Sequence, residues 1–329
     1  MGTVQFGVLI PHFTQFASRT GILESAHVAE DLGFDSVWVR DHLYISPHHT
    51  EHAGITDSGL LTESTLTLAA LVGVTSRIKL GTAVLTPHRH PLKVAQIFAT
   101  LSYLSNGRTI LGIGAGYDKN EFSTIGIPFE QRFQAVRETV EICRRCWSED
   151  RVSYDGRLFS FREVSINPKP LGKSVPVWYG GLTYKSVERA VEFADGWMPS
   201  RIPFVKLDAR IRYCKDLRRE QGKNAPFDFA VMPQTVVGRS ADAALRSVDM
   251  NKVKQDALRY KLVKEEGSEI SLESLKGFLI WGTAGDMCRF VERFVELGVG
   301  HIVFDMRSSF QLFFDNLRFL GKGVLPQFR

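Results

Sequence analysis

Ile78-Lys-Leu-Gly-Thr-Ala-Val84 is an apolar run of strand length, Pro91 to Leu104 repeats its apolar residues at helical spacing, and Thr109-Ile-Leu-Gly-Ile-Gly114 is a second apolar run. Continuous apolar strands joined through a helix are the mark of a β-α-β unit, whose parallel strands are buried on both faces. Pro91 suits the first turn of a helix, which does not need its missing N–H, and Gly107 suits the left-handed residue that ends one. The same alternation recurs outward to both ends of the chain. Strands are predicted over Val4 to Ile10, Ser36 to Val39, Ile78 to Val84, Thr109 to Gly114, Val175 to Tyr179, Gly196 to Pro199, Phe229 to Val237 and His301 to Asp305. Helices are predicted over roughly Gly21 to Leu32, Thr62 to Thr75, Pro91 to Leu104, Phe129 to Trp147, Tyr184 to Phe193, Phe204 to Gln221, Asp286 to Leu297 and Ser309 to Leu320. Gly33 and Gly298 end two of these as Gly107 ends the third.

Eight alternations predict an α/β fold closed into a (β/α)8 TIM barrel rather than an open sheet, with residues 1–329 forming one domain. Stretches 43–61, 150–173 and 239–283 fall outside the alternation and are expected to be insertions. In the second of these, Asp155-Gly156 between β-prone residues predicts a hairpin.

Composition excludes several classes. Of 329 residues, 44% are hydrophobic and 23% charged, which is ordinary for a folded enzyme and unlike a disordered chain. The net charge of +5 is spread along the chain without a dense basic run, so nucleic acid is not an expected partner. The first residues lack a signal-peptide pattern, and no apolar run is long enough to span a membrane, so a cytoplasmic location is expected. Four cysteines are too few for a disulfide framework in a chain this long.

In a (β/α) barrel the loops after the strands converge at one rim, where chemistry is built. After the strands come Pro11 and His12; Asp41 and His42; Thr86, His88 and Arg89; Gly114-Ala115-Gly116-Tyr117; Tyr179-Gly180-Gly181; Ser200 and Arg201; and Asp305 with Arg307. Glycines there let the backbone approach an anion closely, and exposed N–H groups at a helix start supply donors. Gly180-Gly181-Leu-Thr183 runs directly into a helix and is the better phosphate cradle; their alternative role is tight turns. Gly112-x-Gly114-x-Gly116 is a weak dinucleotide fingerprint, because no helical pattern starts immediately after it.

His42 is the leading catalytic residue, since imidazole ordinarily titrates near neutrality and can exchange a proton with a substrate hydroxyl. Asp41 either orients His42, bonds a coenzyme ring or caps a loop. Tyr117, Arg201 and Arg307 are candidate substrate contacts, the two arginines for an anionic substrate or, alternatively, for surface ion pairs. Glu63 begins a helix beside the rim, where a carboxylate also favours the helix N-terminus. His48, His49 and His52 with Glu51 read as a solvated lid and not a metal site. Cys143 and Cys146 read as core residues within a helix.

Six segments together resemble one family: Gly33-Phe-Asp35-Ser-Val-Trp38-Val-Arg-Asp41-His42, Arg77-Ile-Lys-Leu-Gly81-Thr-Ala-Val, Arg89-His90-Pro91, Leu104-Ser-Asn-Gly107-Arg108, Leu111-Gly-Ile-Gly114-Ala-Gly116-Tyr and Ala194-Asp195-Gly196-Trp197. They are similar, in order and spacing, to the bacterial-luciferase-like flavin and deazaflavin oxidoreductases. The Asp-His pair resembles the branch that uses coenzyme F420. What the resemblance implies is hydride transfer to or from a small organic substrate, with Asp41 and His42 beside the deazaflavin ring. It also implies a bulge with a non-proline cis peptide at Ala83 and Val84 under the ring. Ala115, Gly116 and Asn120 would hold the coenzyme side chain, and Tyr179, Gly180, Gly181 and Thr183 the region of its phosphate. A homodimer is implied as well. The alternatives within and outside this class are an FMN-dependent monooxygenase and a coenzyme-binding barrel without catalysis. The chain departs from the sugar-phosphate dehydrogenases of this branch, holding Tyr117, Ser46 and Thr14 where they carry an acid, a tryptophan and an acid; glucose 6-phosphate is therefore not the expected substrate.

Overall fold

A computed structural model describes residues 3–45, 60–263 and 270–329. Ser46 and the His48, His49, Glu51 and His52 group lie outside the described residues.

Eight parallel strands close into a barrel: β1 (Gln5–Leu9), β2 (Ser36–Val39), β3 (Lys79–Thr82), β4 (Thr109–Ile113), β5 (Val177–Gly180), β6 (Gly196–Met198), β7 (Asp228–Val231) and β8 (His301–Phe304). Each strand pairs with its neighbours in chain order, and β8 returns to β1 with Gln5 opposite His301. The (β/α)8 barrel expected from the alternation is the observed fold. Helices Pro91–Leu104 and Tyr184–Phe193 have the predicted bounds. Gly33, Gly107 and Gly298 take φ of 86°, 82° and 94°, the left-handed region expected of helix-ending glycines.

Large aromatic rings fill the barrel, and glycines on neighbouring strands make room for them. Trp38 of β2 stacks on Trp178 of β5 with ring centres 5.4 Å apart. A methyl group on Gly81 would lie 2.4 Å from Trp38 Cζ3, so only glycine admits the indole there. The Trp38 Nε1–H donates to Ser36 Oγ at 2.7 Å, and His301 Nε2 lies 2.7 Å from the same oxygen. The buried Ser36, Trp38 and His301 side chains are thus paired with one another, as burial requires.

The structure corrects the reading of the last third. Phe229 to Val237 is not one strand, because Pro233 has no N–H to continue the ladder. β7 ends at Val231, and Gln234–Val237 leaves the barrel to pair in parallel with Leu279–Gly282. That second strand, fully buried, lies within the stretch assigned to an insertion. The rest of the insertion carries helices Ala241–Arg246, Met250–Arg259 and Leu272–Leu275. A short helix, Lys119–Thr124, capped by the Asp118 carboxylate, also follows the Gly112 to Gly116 run. The Asp155-Gly156 hairpin is present between Val152–Asp155 and Ser160–Val164. The Glu138 carboxylate accepts N–H bonds from Arg157, Leu158 and Phe159 and fastens its turn.

Cys143 and Cys146 are buried thiols packed in the core, as read from their helix. Among the described residues no helix is long and apolar enough to cross a membrane, and no His, Cys, Asp or Glu group is arranged to hold a metal ion.

Candidate active site

The strands' carboxyl ends surround a cavity of about 440 Å³. β2 continues into Arg40, Asp41 and His42, all of which line it. Asp41 is buried and held from three directions: Ser64 Oγ donates at 2.6 Å, the Thr86 N–H at 3.0 Å, and Arg89 gives two bonds of 2.8 and 2.9 Å. Burial alone would raise this carboxyl, but the Arg89 guanidinium, Ser64 and Thr86 hold it below its ordinary value. Glu63 resolves into both of its possible roles, since it accepts the Leu66 N–H at the helix start and also pairs with Arg89. His12 is buried below them, its Nε2 accepting the Arg40 N–H at 2.8 Å, so it fixes the backbone that presents the Asp-His pair.

His42 departs from the expectation of an imidazole titrating near neutrality. Burial, then the positive charge of Arg40, lowers it to about 3. It is therefore neutral through the physiological range. Glu121 of the short helix reaches it, with Oε1 3.5 Å from His42 Nδ1, and Oε2 lies 3.7 Å from His88 Nε2. The same carboxylate accepts the Leu43 N–H at 2.7 Å. Tyr117 stands edge-on to His42 at 6.1 Å between ring centres, its phenol pushed up to about 12, chiefly by burial.

Opposite, β5 brings Tyr179, Gly180 and Gly181 to the cavity. The peptide between Ala83 and Val84 is cis. A methyl on Gly180 would fall 2.6 Å from Val84 Cγ1, and one on Gly114 2.5 Å from Val84 Cγ2. Glycines at both positions let the Val84 bulge seat itself between β4 and β5. Thr183 caps the next helix by accepting the Ser186 N–H at 3.2 Å, and Arg189, one turn further on, also lines the cavity. This end therefore offers N–H groups, hydroxyls and a cation to an anion.

Of the residues singled out in the sequence, Asp41, His42, Ala83, Val84, Ala115, Gly116, Tyr117, Tyr179, Gly180, Gly181, Thr183, Arg201 and Arg307 line this one cavity. Asn120 does not. It is exposed on the short helix, whereas its neighbour Glu121 turns inward. The surface-pair alternative for the two arginines is excluded: Arg201 pairs with buried Asp256 at 3.1 Å and Arg307 with buried Asp305. Arg40, Glu121 and Arg189 were not anticipated. Arg40 stood inside the quoted motif; Glu121 lies on a helix of six residues, too short to show a period.

His12 and His301 are also lowered to about 3, by burial first, then by Arg40 and Lys79 respectively. These two and His42 are neutral when folded, but accept protons when unfolded as pH drops through 6.5. Their contribution to stability is present above that pH and lost as pH falls toward 3. Unfolding then takes up about three protons, a slope of ~4 kcal/mol per pH unit. Urea midpoints are expected to drop steeply below pH 6.5; midpoints unchanged from pH 7 to pH 5 would show that the histidines are charged in the folded chain.

The profile of the luciferase-like monooxygenase family matches residues 4–301. The chain belongs to this family. The luciferase-like chain is 28% identical to an F420-dependent glucose-6-phosphate dehydrogenase of Microbacterium testaceum, covering 94% of this chain and 93% of that one. It is 29% identical to a 5,10-methylenetetrahydromethanopterin reductase of Archaeoglobus fulgidus, covering 92% and 94%. Among solved structures, an F420-dependent secondary alcohol dehydrogenase superposes with a TM-score of 0.81 at 22% identity over 100% of both chains, and so shares the luciferase-like fold.

Proposed function

We propose that this chain is a coenzyme F420-dependent oxidoreductase that moves a hydride between the deazaflavin and a small organic substrate, of alcohol/carbonyl or C=N/C=C type. The observation that carries this reading is the His42 imidazole placed in one cavity with the apolar bed of Ala83 and Val84 and a glycine-lined anion seat. The kinship with an F420-dependent dehydrogenase along nearly the whole chain supports the choice of coenzyme.

The cavity fits such a coenzyme on its own evidence. Ala83, Val84 and Met198 offer an apolar bed for a flat ring, and Gly180, Gly181, Thr183 and Arg189 an end for a phosphate. When bound, the deazaflavin gives or takes hydride at a ring carbon. His42 would take the proton from a substrate hydroxyl as the substrate carbon bearing that hydroxyl gives its hydride to the oxidised coenzyme, and would return the proton in the reverse direction. Glu121 stands 3.5 Å from the ring nitrogen to balance the charge that His42 then carries. Asp41, tied to Ser64, Thr86 and Arg89, keeps the end of β2 in place. Ala115 and Gly116 would bind the coenzyme side chain. A homodimer acting in the cytoplasm completes the reading.

Purified protein titrated with coenzyme F420 and with FMN is expected to quench the deazaflavin fluorescence at the lower concentration. Preferential binding of FMN, with oxygen consumed on substrate addition, would replace this proposal with a flavin monooxygenase. Sedimentation as a monomer would remove the dimer.

A further inference from the structure

We infer that the substrate carries a carboxylate, seated on the guanidiniums of Arg40 and Arg307 across the barrel mouth from the glycine pair. The inference rests on the oxidoreductase reading above and names the class of substrate that this site takes.

Three arginines enter the cavity together: Arg40 at the end of β2, Arg201 after β6 and Arg307 after β8. β2 and β8 flank β1, so Arg40 and Arg307 approach from the side of the barrel opposite β5 and its Gly180 and Gly181. Arg201 is neutralised by Asp256 at 3.1 Å. Arg307 donates through Nε to both Asp305 oxygens at 2.8 Å, which leaves Nη1 directed elsewhere. Arg40 has no carboxylate partner among the described residues; its guanidinium lies 5.7 Å from the Phe13 ring centre. Arg40 Nη1 and Arg307 Nη1 are both buried and meet no acceptor among the described residues.

At this side of the cavity three guanidiniums stand against two carboxylates, while Glu121 lies 3.5 Å from His42 Nδ1 and Arg189 lies at the β5 end. Arg40 is thus the guanidinium of the trio without a carboxylate partner among the described residues. Such a buried charge is costly unless an anion joins it, and a guanidinium is shaped to hold the paired oxygens of a carboxylate. The electrostatics agree with the geometry. Burial and then repulsion from Arg307 lower Arg40 to about 10, while Asp305 is held below its ordinary value by Arg307, Arg201 and Arg40 against the effect of burial. A single negative charge matches the one guanidinium of this trio that lacks a carboxylate, whereas a phosphate dianion exceeds it. The phosphate of the coenzyme already has its own seat at β5.

The test compares acids with their uncharged isosteres: acetate with acetamide, benzoate with benzamide, and cyclohexanecarboxylate with its amide, with phenyl phosphate added. Calorimetric titrations use both the coenzyme-free protein and the F420-loaded protein. The acid of at least one pair is expected to bind about tenfold or more tightly than its amide, and Arg40→Gln to abolish that preference. F420 quenching by the variant should stay within about twofold of the parent, which excludes a misfolded site. Should Arg40→Gln not fold, Arg40→Lys is expected to keep the preference at reduced affinity, and its complete loss there would count against a charge-based seat. Equal affinity within every pair, or a preference that survives Arg40→Gln, overturns the inference. Tighter binding of phenyl phosphate than of benzoate overturns the carboxylate in favour of a phosphate ester. If F420 fails to quench with the parent protein, the oxidoreductase reading falls, while the coenzyme-free titrations still decide the carboxylate seat.

Discussion

Replacing His42 by alanine is expected to lower turnover by ~10²–10⁴-fold while coenzyme affinity stays within severalfold of the parent. In the proposed reading the imidazole handles a proton, whereas the coenzyme would rest on Ala83, Val84 and the glycine-lined end of the cavity, which the substitution leaves intact. Because burial and Arg40 lower His42 to about 3, the base is already deprotonated from pH 5 to pH 8. Oxidation of an alcohol should therefore show no inflection near 6.5 from this residue. The loss in His42→Ala should be reduced by added imidazole, a rescue that a packing defect would not show. Unchanged turnover, with coenzyme still bound, would remove His42 from the chemistry.

Asp41→Ala is expected to cost about 3–5 kcal/mol of stability, because removing one partner of a buried pair strands the other. Arg89 would lose both bonds to the carboxylate and keep only Glu63; the Ser64 hydroxyl and the Thr86 N–H would lose their acceptor. Those three groups come from the segments after β2 and β3, so the loss loosens the segment that carries His42. Asp41→Asn preserves the shape but weakens the charge-assisted bonds, and is expected to cost less. Urea denaturation of both variants at pH 7 reads the difference. A loss below about 1 kcal/mol in Asp41→Ala would mean that the cluster does not anchor the rim.

Much of this architecture was readable in advance, for identifiable reasons. Strands buried on both faces appear as unbroken apolar runs, and Ile78 to Val84 or His301 to Asp305 need no partner to be recognised. The seventh strand failed on the same rule. Phe229 to Val237 is apolar but for Gln234 and Thr235, yet Pro233 divides it and sends Gln234–Val237 to pair with Leu279–Gly282, a strand hidden in the expected insertion. Short elements carry too few residues to display a period, so the helix Lys119–Thr124 was missed, and with it the inward turn of Glu121 instead of Asn120.

The amino-acid sequence by itself determined the order of strands and helices and which loops reach the catalytic rim, because both follow from local periodicity and chain direction. Only the tertiary structure decided the electrical character of the site. Arg40 meets Arg307 and Asp305 across the closure of β8 onto β1, and Arg201 meets Asp256 from a helix that the periodicity did not show. Charge state depends on burial and on neighbours in space. Those neighbours lie far apart along the chain, so the neutral His42 and the grouping of Arg40, Arg201 and Arg307 arise only once the barrel has closed.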